Sequence, residues 1–253
     1  MNVKLVSLTK PEIDGVNSAE DIISYCARVS NPSNQMNMET APRLIKFLIK
    51  HKHWSPFELA SMCVEITTSR AIAAQILRHR SFSFQEFSQR YSEAQVMEPV
   101  EVREQAEKNR QSSKDVINPS VNGFINAKQA IAVHERKSLE LYNSLIKNGV
   151  AKECARMVLP LTTQTTIYMS GTVRSWVHYI DLRTEENTQK EHREVAEAIK
   201  LVAEHKGDKP AAQGALFGGG SVMTARDKIP QDRLIALAPI IGNYIPATAP
   251  STA

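Results

Sequence analysis

The chain has 253 residues, 42% of them apolar and 23% charged, with 31 Lys+Arg against 27 Asp+Glu and a formal net charge of +4. That apolar share can bury a core and excludes a disordered chain. Residues 1–205 carry 26 basic against 24 acidic side chains and residues 206–253 carry 5 against 3, so basic character is local, which argues against a nucleic-acid binder with its usual broad basic stripe.

In chain order, residues 3–8 are predicted as a strand, and Ser18-Ala19-Glu20-Asp21 opens a helix to about residue 29. A second helix over 42–51 lines up Leu44, Ile45, Phe47, Leu48 and Ile49 as a buried stripe. Ser55-Pro56-Phe57-Glu58 has the pattern of a capping box on a short helix. Met62, Val64 and Ile66 alternate with Cys63, Glu65 and Thr67, which predicts a half-buried strand. It feeds a helix capped by Ser69 that carries Gln75 and Arg78 on one face. Phe82, Phe84 and Phe87 alternate irregularly with polar groups, as in a loop wedged into a core. A strand is expected over 95–103, a polar loop over 112–118, and a long helix over 121–148 that presents Ile131, Leu139, Tyr142 and Leu145 and stops at Gly149. A short helix carrying Arg156, a strand over 162–169, and helices over 173–182 and 188–205 complete this part. Helices and strands in this irregular order indicate an α+β fold. Gly214-Ala215-Leu216-Phe217-Gly218-Gly219-Gly220-Ser221 has the composition of a flexible linker, so residues 206–253 are expected to form a partly disordered extension of a domain spanning 1–205.

Cys26, Cys63 and Cys154 are odd in number and widely spaced, with no CxxC pair, which suggests buried thiols in a reducing, cytoplasmic setting. No apolar run approaches the ~18 residues of a membrane span, and no secretory leader is evident. His51-Lys52-His53 lacks a third ligand nearby, so no metal site is expected. Lys190-Glu191-His192-Arg193-Glu194 is expected to be a solvated helix face.

The densest chemistry lies in Arg78-His79-Arg80-Ser81-Phe82-Ser83-Phe84-Gln85-Glu86-Phe87-Ser88-Gln89-Arg90-Tyr91, with three arginines, a histidine, a carboxylate and three serines. Guanidinium groups hold phosphate oxygens bidentately and never lose their charge, so Arg78, Arg80 and Arg90 held together would repel one another without an anion between them. A solvated basic face is the alternative.

Arg78-His79-Arg80, followed after seven residues by Ser88, resembles the signature motif of the flavin-dependent thymidylate synthases, the ThyX family. Tyr25-Cys26-Ala27-Arg28-Val29-Ser30, His53-Trp54-Ser55-Pro56-Phe57-Glu58, Ala155-Arg156-Met157-Val158-Leu159-Pro160 and the stretch from Ser170-Gly171-Thr172-Val173-Arg174 through His178 to Arg183 resemble further blocks of that family, in its order. The resemblance implies an α+β domain whose central, mostly antiparallel sheet is flanked by helices, assembled as a homotetramer. It also implies reductive methylation of dUMP to dTMP, with FAD as cofactor, 5,10-methylenetetrahydrofolate as carbon donor and NADPH as reductant.

Carried over residue by residue, Gln75, Arg78, Glu86, Ser88, Gln89, Arg90, Arg156 and Arg183 fall where the family binds dUMP, with Arg78, Arg90 and Arg156 suited to its phosphate. Ser30, Ser55, Arg78, His79, Arg80, Glu86, Thr172, Arg174 and His178 fall where it binds FAD, and the chain has no GxGxxG fingerprint. Arg183 and His53 are the implied catalytic residues, Arg183 by stabilising charge at the pyrimidine N3/O4 edge. The lesser reading of Arg183, taken alone, is a helix-C-terminal arginine that compensates the macrodipole. Ser88 reads as a substrate ligand, since no oriented base accompanies it. Where the family often has Asn-Ala-Arg and a later Asn, this chain has Thr172-Val173-Arg174 and His178. Two alternatives share these residues: a pyrimidine nucleotide hydroxymethylase, in which water finishes the transfer, and a non-catalytic nucleotide- or RNA-binding regulator. A pure phosphate binder has no use for the uracil-edge arginine.

Overall fold

A computed structural model of the chain describes residues 1–93, 96–121 and 123–204. Its strands are β1 (Asn2–Leu8), β2 (Ser61–Ser69), β3 (Ser83–Glu86), β4 (Arg103–Gln105), β5 (Ser113–Val116) and β6 (Gln164–Thr172). The alternation read in β2 sets the layering: Met62, Val64, Ile66 and Thr68 are buried, while Cys63, Glu65 and Thr67 face the open side. β2 is central to a sheet of order β1-β2-β6-β3 in which every pairing is antiparallel, and β4 and β5 form a separate pair. The β2–β6 register runs from Ser61↔Thr172 to Ser69↔Gln164. The helices that follow these two strands therefore leave from opposite ends of the sheet.

The helices are α1 (Ala19–Ala27), α2 (Ala41–Lys50), α3 (Arg70–Ile76), α4 (Ala127–Lys147), α5 (Lys152–Ala155), α6 (Val173–Arg183) and α7 (Lys190–Glu204). Polar caps set several starts: Ser18 Oγ accepts from Asp21 N at 3.1 Å, Ser69 Oγ from Ile72 N at 3.4 Å and Thr172 Oγ1 from Ser175 N at 3.4 Å. Gly149 ends α4 at φ +82°. The core gathers Ile23, Ile45, Phe57, Ile76, Met169, Trp176, Ile180 and Ile199 from helices and sheet. Trp176 donates its Nε1–H to the Met62 carbonyl at 2.9 Å, so its indole is buried without an unsatisfied donor. Phe82 packs edge-on to Trp176 with ring centroids 4.6 Å apart. It also lies over Gly171, where an added Cβ would come within 2.5 Å of its ring.

The α+β architecture with an antiparallel sheet and flanking helices is as expected, and several local predictions are corrected. Residues 83–86 are a strand rather than a loop, because they pair with the free edge of β6. The stretch expected as a strand over 95–103 makes only the isolated bridge Met97↔Thr163 among its described residues before β4 begins at Arg103. The expected polar loop contains β5, and the long helix starts at Ala127, where Asn126 Oδ1 accepts from Gln129 N at 2.9 Å. Ser55–Leu59 is a 3₁₀ helix with no side-chain cap, and Glu58 bonds elsewhere instead of closing a capping box. In α2, Ile45, Leu48 and Ile49 are buried, but Phe47 stays half-exposed and stacks on His51 at 4.2 Å. Cys154 is exposed, while Cys26 and Cys63 are half-buried, with their thiol pKa values raised by burial. The extension 206–253 and the end of the last helix at His205 lie outside the described residues. Among the described residues no helix is long and apolar enough to cross a membrane.

Candidate functional site

α6 carries three of the predicted site residues, and its pitch decides what each can meet. Arg174 and His178 are four residues apart and share a face, whereas Tyr179 and Arg183 share another, turned toward the segment after α3. There Arg183 donates its Nε–H to His79 Nε2 at 2.9 Å. An arginine can only donate, so His79 accepts at Nε2 and holds its proton on Nδ1. Burial, with Arg183 and then Arg78 nearby, pushes the His79 pKa down to about 4, so the ring is neutral at pH 7. Tyr179 meets His79 edge-on, with centroids 4.8 Å apart, and burial keeps its phenol protonated.

The Tyr179 hydroxyl lies 3.0 Å from Nε2 of His192, and His192 Nδ1 lies 3.2 Å from Gln75 Oε1. Gln75 in turn donates from Nε2 to Gln189 Oε1 at 2.7 Å. The stretch 190–194 is therefore not a solvated face. His192 is fully buried, Lys190 Nζ pairs with Glu101 at 2.7 Å, and Glu191 pairs with Arg103 at 2.7 Å. Sequence reasoning missed His192, Tyr179 and Gln189. The available signal was helical spacing, since His192 falls in line with buried Val195, Ala196, Ile199 and Ala203.

A second group forms where β6 runs into α6. Thr172 donates its hydroxyl to Glu58 Oε2 at 2.8 Å, and Arg174 Nη1 pairs with Glu58 Oε1 at 2.7 Å. These hydrogen bonds, Thr172's first, hold the Glu58 pKa below the usual carboxylate range. His178 packs edge-on to Trp54 at 4.6 Å, and its pKa is lowered by burial and then by Arg174. His53 and Ser55, on either side of Trp54, are exposed, as is Ser30 beyond α1. The segment after Ser30 is tied down by buried Arg28, which donates to the Asn37 carbonyl and to Thr40 Oγ1.

The third group sits at the other end of β6. Glu86 accepts from Thr165 Oγ1 at 3.0 Å and pairs with Arg70 at 3.3 Å, both through Oε1. Ser88 Oγ accepts from Arg90 N at 3.4 Å, and Arg90 Nε lies 3.4 Å from Glu153. Gln89 is buried, and its Nε2 meets no acceptor among the described residues. A shallow cavity of about 200 Å³ is lined by Arg90, Tyr91, Ala151, Lys152 and Glu153, with half-buried Arg156 just beyond. Thus His79 is bonded to Arg183, Gln75 is bonded through His192 to Tyr179, and the two pairs meet at the edge-on contact of His79 with Tyr179, while Thr172 and Arg174 are joined at Glu58. Ser88, Gln89 and Arg90 follow β3 near the Gln164 end of β6, opposite the Thr172 end along a nine-residue strand, a span of about 26 Å.

Among the described carboxylates none pairs with Arg78, Arg80, Arg156 or Arg183. Arg78 and Arg80 are exposed, and Arg183 is half-buried. Uncompensated guanidinium groups suit the phosphates of a nucleotide and the pyrophosphate of a dinucleotide, and need no glycine-rich loop to do so.

Residues 13–205 match the family model described as Thymidylate synthase complementing protein, Thy1. The probable flavin-dependent thymidylate synthase of Paramecium bursaria Chlorella virus 1 is 55% identical over 205 residues, covering 80% of this chain and 93% of that protein. The flavin-dependent thymidylate synthase of Synechocystis sp. is 54% identical over 205 residues, covering 80% and 94%. Among solved structures, the UMP/dUMP methylase PolB from Streptomyces cacaoi, crystallised with 5-Br dUMP, superimposes with a TM-score of 0.63 at 25% identity, covering 79% of this chain and 87% of that one. The chain belongs to the Thy1 family, that of the flavin-dependent thymidylate synthases.

Proposed function

We propose that this chain is an FAD-dependent thymidylate synthase that converts dUMP to dTMP, taking the one-carbon unit from 5,10-methylenetetrahydrofolate and the reducing equivalents from NADPH. The observation that carries this reading is Arg183, a half-buried guanidinium with no carboxylate partner among the described residues, whose Nε is spent on a neutral histidine. Its Nη groups remain available to a ligand. C5 of uracil becomes nucleophilic only as negative charge moves onto the N3/O4 edge, and a fixed cation there lowers the barrier because it interacts most strongly once that charge has developed. His79, taking up Nε, restrains the rotation of the guanidinium.

Gln75, Arg78, Glu86, Ser88, Gln89, Arg90 and Arg156 are assigned to the nucleotide, with Arg78, Arg90 and Arg156 at its phosphate. Both contacts of Glu86 fall on Oε1, leaving Oε2 for a ligand hydroxyl. Ser30, Ser55, Arg78, His79, Arg80, Glu86, Thr172, Arg174 and His178 are assigned to FAD, and His53 is placed beside it as the second catalytic residue. When bound, FAD supplies the two-electron reduction that turns a transferred methylene into a methyl group. Because the assigned residues stand at both ends of β6, a homotetramer in which neighbouring copies complete each site is part of the proposal, as is a catalytic unit of residues 1–205 acting in the cytoplasm.

Acid precipitation of the purified protein should release FAD, visible beforehand as a two-banded flavin spectrum. Arg80→Ala removes charge-assisted bonds and should weaken FAD binding by roughly 10- to 100-fold. A colourless protein that also fails to take up added FAD would overturn the assignment.

A further inference from the structure

We propose that His192 is a positioning residue that sets the orientation of the Gln75 carboxamide toward the nucleotide, an inference resting on the reading above that Gln75 touches dUMP. His192 lies on the buried stripe of α7 with Val195, Ala196 and Ile199, where an imidazole is costly unless both nitrogens are satisfied. Both are, and the direction of every bond follows from Glu191. Its carboxylate, fixed by Arg103 at 2.7 Å, can only accept, so Gln189 turns its Nε2 toward it at 2.9 Å. Gln189 Oε1 is then left to accept from Gln75 Nε2 at 2.7 Å. Gln75 Oε1 therefore faces His192 at 3.2 Å, and a carbonyl oxygen can only accept, so the imidazole proton sits on Nδ1. The neutral ring accepts the Tyr179 hydroxyl at Nε2, 3.0 Å away.

Flipping the Gln75 amide would break both of its bonds, setting oxygen against Gln189 Oε1 and N–H against His192 Nδ1–H. In the orientation they fix, Gln75 keeps one N–H and one carbonyl lone pair uncommitted, the complement of a pyrimidine C=O/N–H edge. Tyr179, held by His192 at its hydroxyl, also meets His79 edge-on at 4.8 Å, and His79 holds Arg183. His192 thus supports Gln75 directly, and Arg183 through Tyr179 and His79, without itself touching the nucleotide.

A purely structural role would make His192 glue between α7, α3 and α6. Asparagine at 192 places an amide near the Nδ1 position and retains the bond to Gln75; glutamine places it near Nε2 and retains only the bond to Tyr179. Calorimetric titration of dUMP into the flavin-loaded proteins should give a Kd within about threefold of wild type for His192→Asn and about tenfold weaker for His192→Gln, the consequence of one lost orienting bond. Equal affinities for the two variants, whatever their melting temperatures, would overturn the inference. Gln75→Ala separates the two layers: if it leaves dUMP affinity unchanged, the placement of Gln75 at the nucleotide is wrong; if it weakens binding while the two His192 variants match, the placement stands and the positioning role fails.

Discussion

Arg183→Ala is expected to lower kcat by about 10²–10³-fold, the effect of removing a donor aimed at charge that develops in the transition state. Affinity for dUMP in the ground state should change far less, because Arg78, Arg90 and Arg156 are assigned to the phosphate. Flavin content should stay at the wild-type level. Arg183→Lys should recover little, since an ammonium cannot place one donor on His79 Nε2 and two more on a planar ring edge. Single-turnover measurement at saturating dUMP checks this. Turnover near wild type in Arg183→Ala, together with loss of turnover in Ser88→Ala, would reverse the roles given to these residues.

The second large effect is on stability against acid. His79 and His192 both have pKa values lowered from 6.5 to about 4 in the folded chain, chiefly by burial and then by Arg183. The unfolded chain takes up these protons from about pH 6.5 downward while the folded chain refuses them until about pH 4, so folding stability is lost as pH falls through this window. Fully buried His192 alone should account for about 2 kcal/mol between pH 7 and 5. Glu58, Glu65, Glu101 and Glu191, whose pKa values are lowered, contribute their losses below the usual carboxylate range. Asp181 and Glu194, raised by burial, act in the opposite direction. Urea denaturation at pH 7 and pH 5 should show this fall in wild type and a smaller one in His192→Asn. Equal falls in the two proteins would contradict the assignment of that buried imidazole.

The fold was largely legible in sequence wherever one element answered to one period. β2 announced itself through Met62, Val64 and Ile66, and the starts of α1 and α3 fall where Ser18 and Ser69 cap them. The sequence misled where a distant partner outweighed a local pattern. Glu58 fits a capping box, but a charged hydrogen bond to Arg174 and the hydroxyl of Thr172 outweigh a cap on so short a helix. β3 and β5 are each four residues long, and pairing rather than propensity makes them strands. The candidate site shows the same division. The arginines were visible as unusual charge, yet His192 was hidden among Lys190, Glu191, Arg193 and Glu194, where composition suggests solvent and only the spacing to Val195 and Ile199 tells of burial. That Arg183 meets His79 across 104 positions of chain could not be read from either neighbourhood.

When the flavin-loaded protein is given dUMP, 5,10-methylenetetrahydrofolate and NADPH, mass spectrometry of the nucleotide formed distinguishes methylation from hydroxymethylation. An FAD-dependent thymidylate synthase forms dTMP, with NADPH consumed in step and tetrahydrofolate rather than dihydrofolate as the folate product, because the carbon donor is not itself oxidised. Hydroxymethyl-dUMP, heavier than dTMP by one oxygen, formed as sole product without NADPH consumption would contradict that assignment.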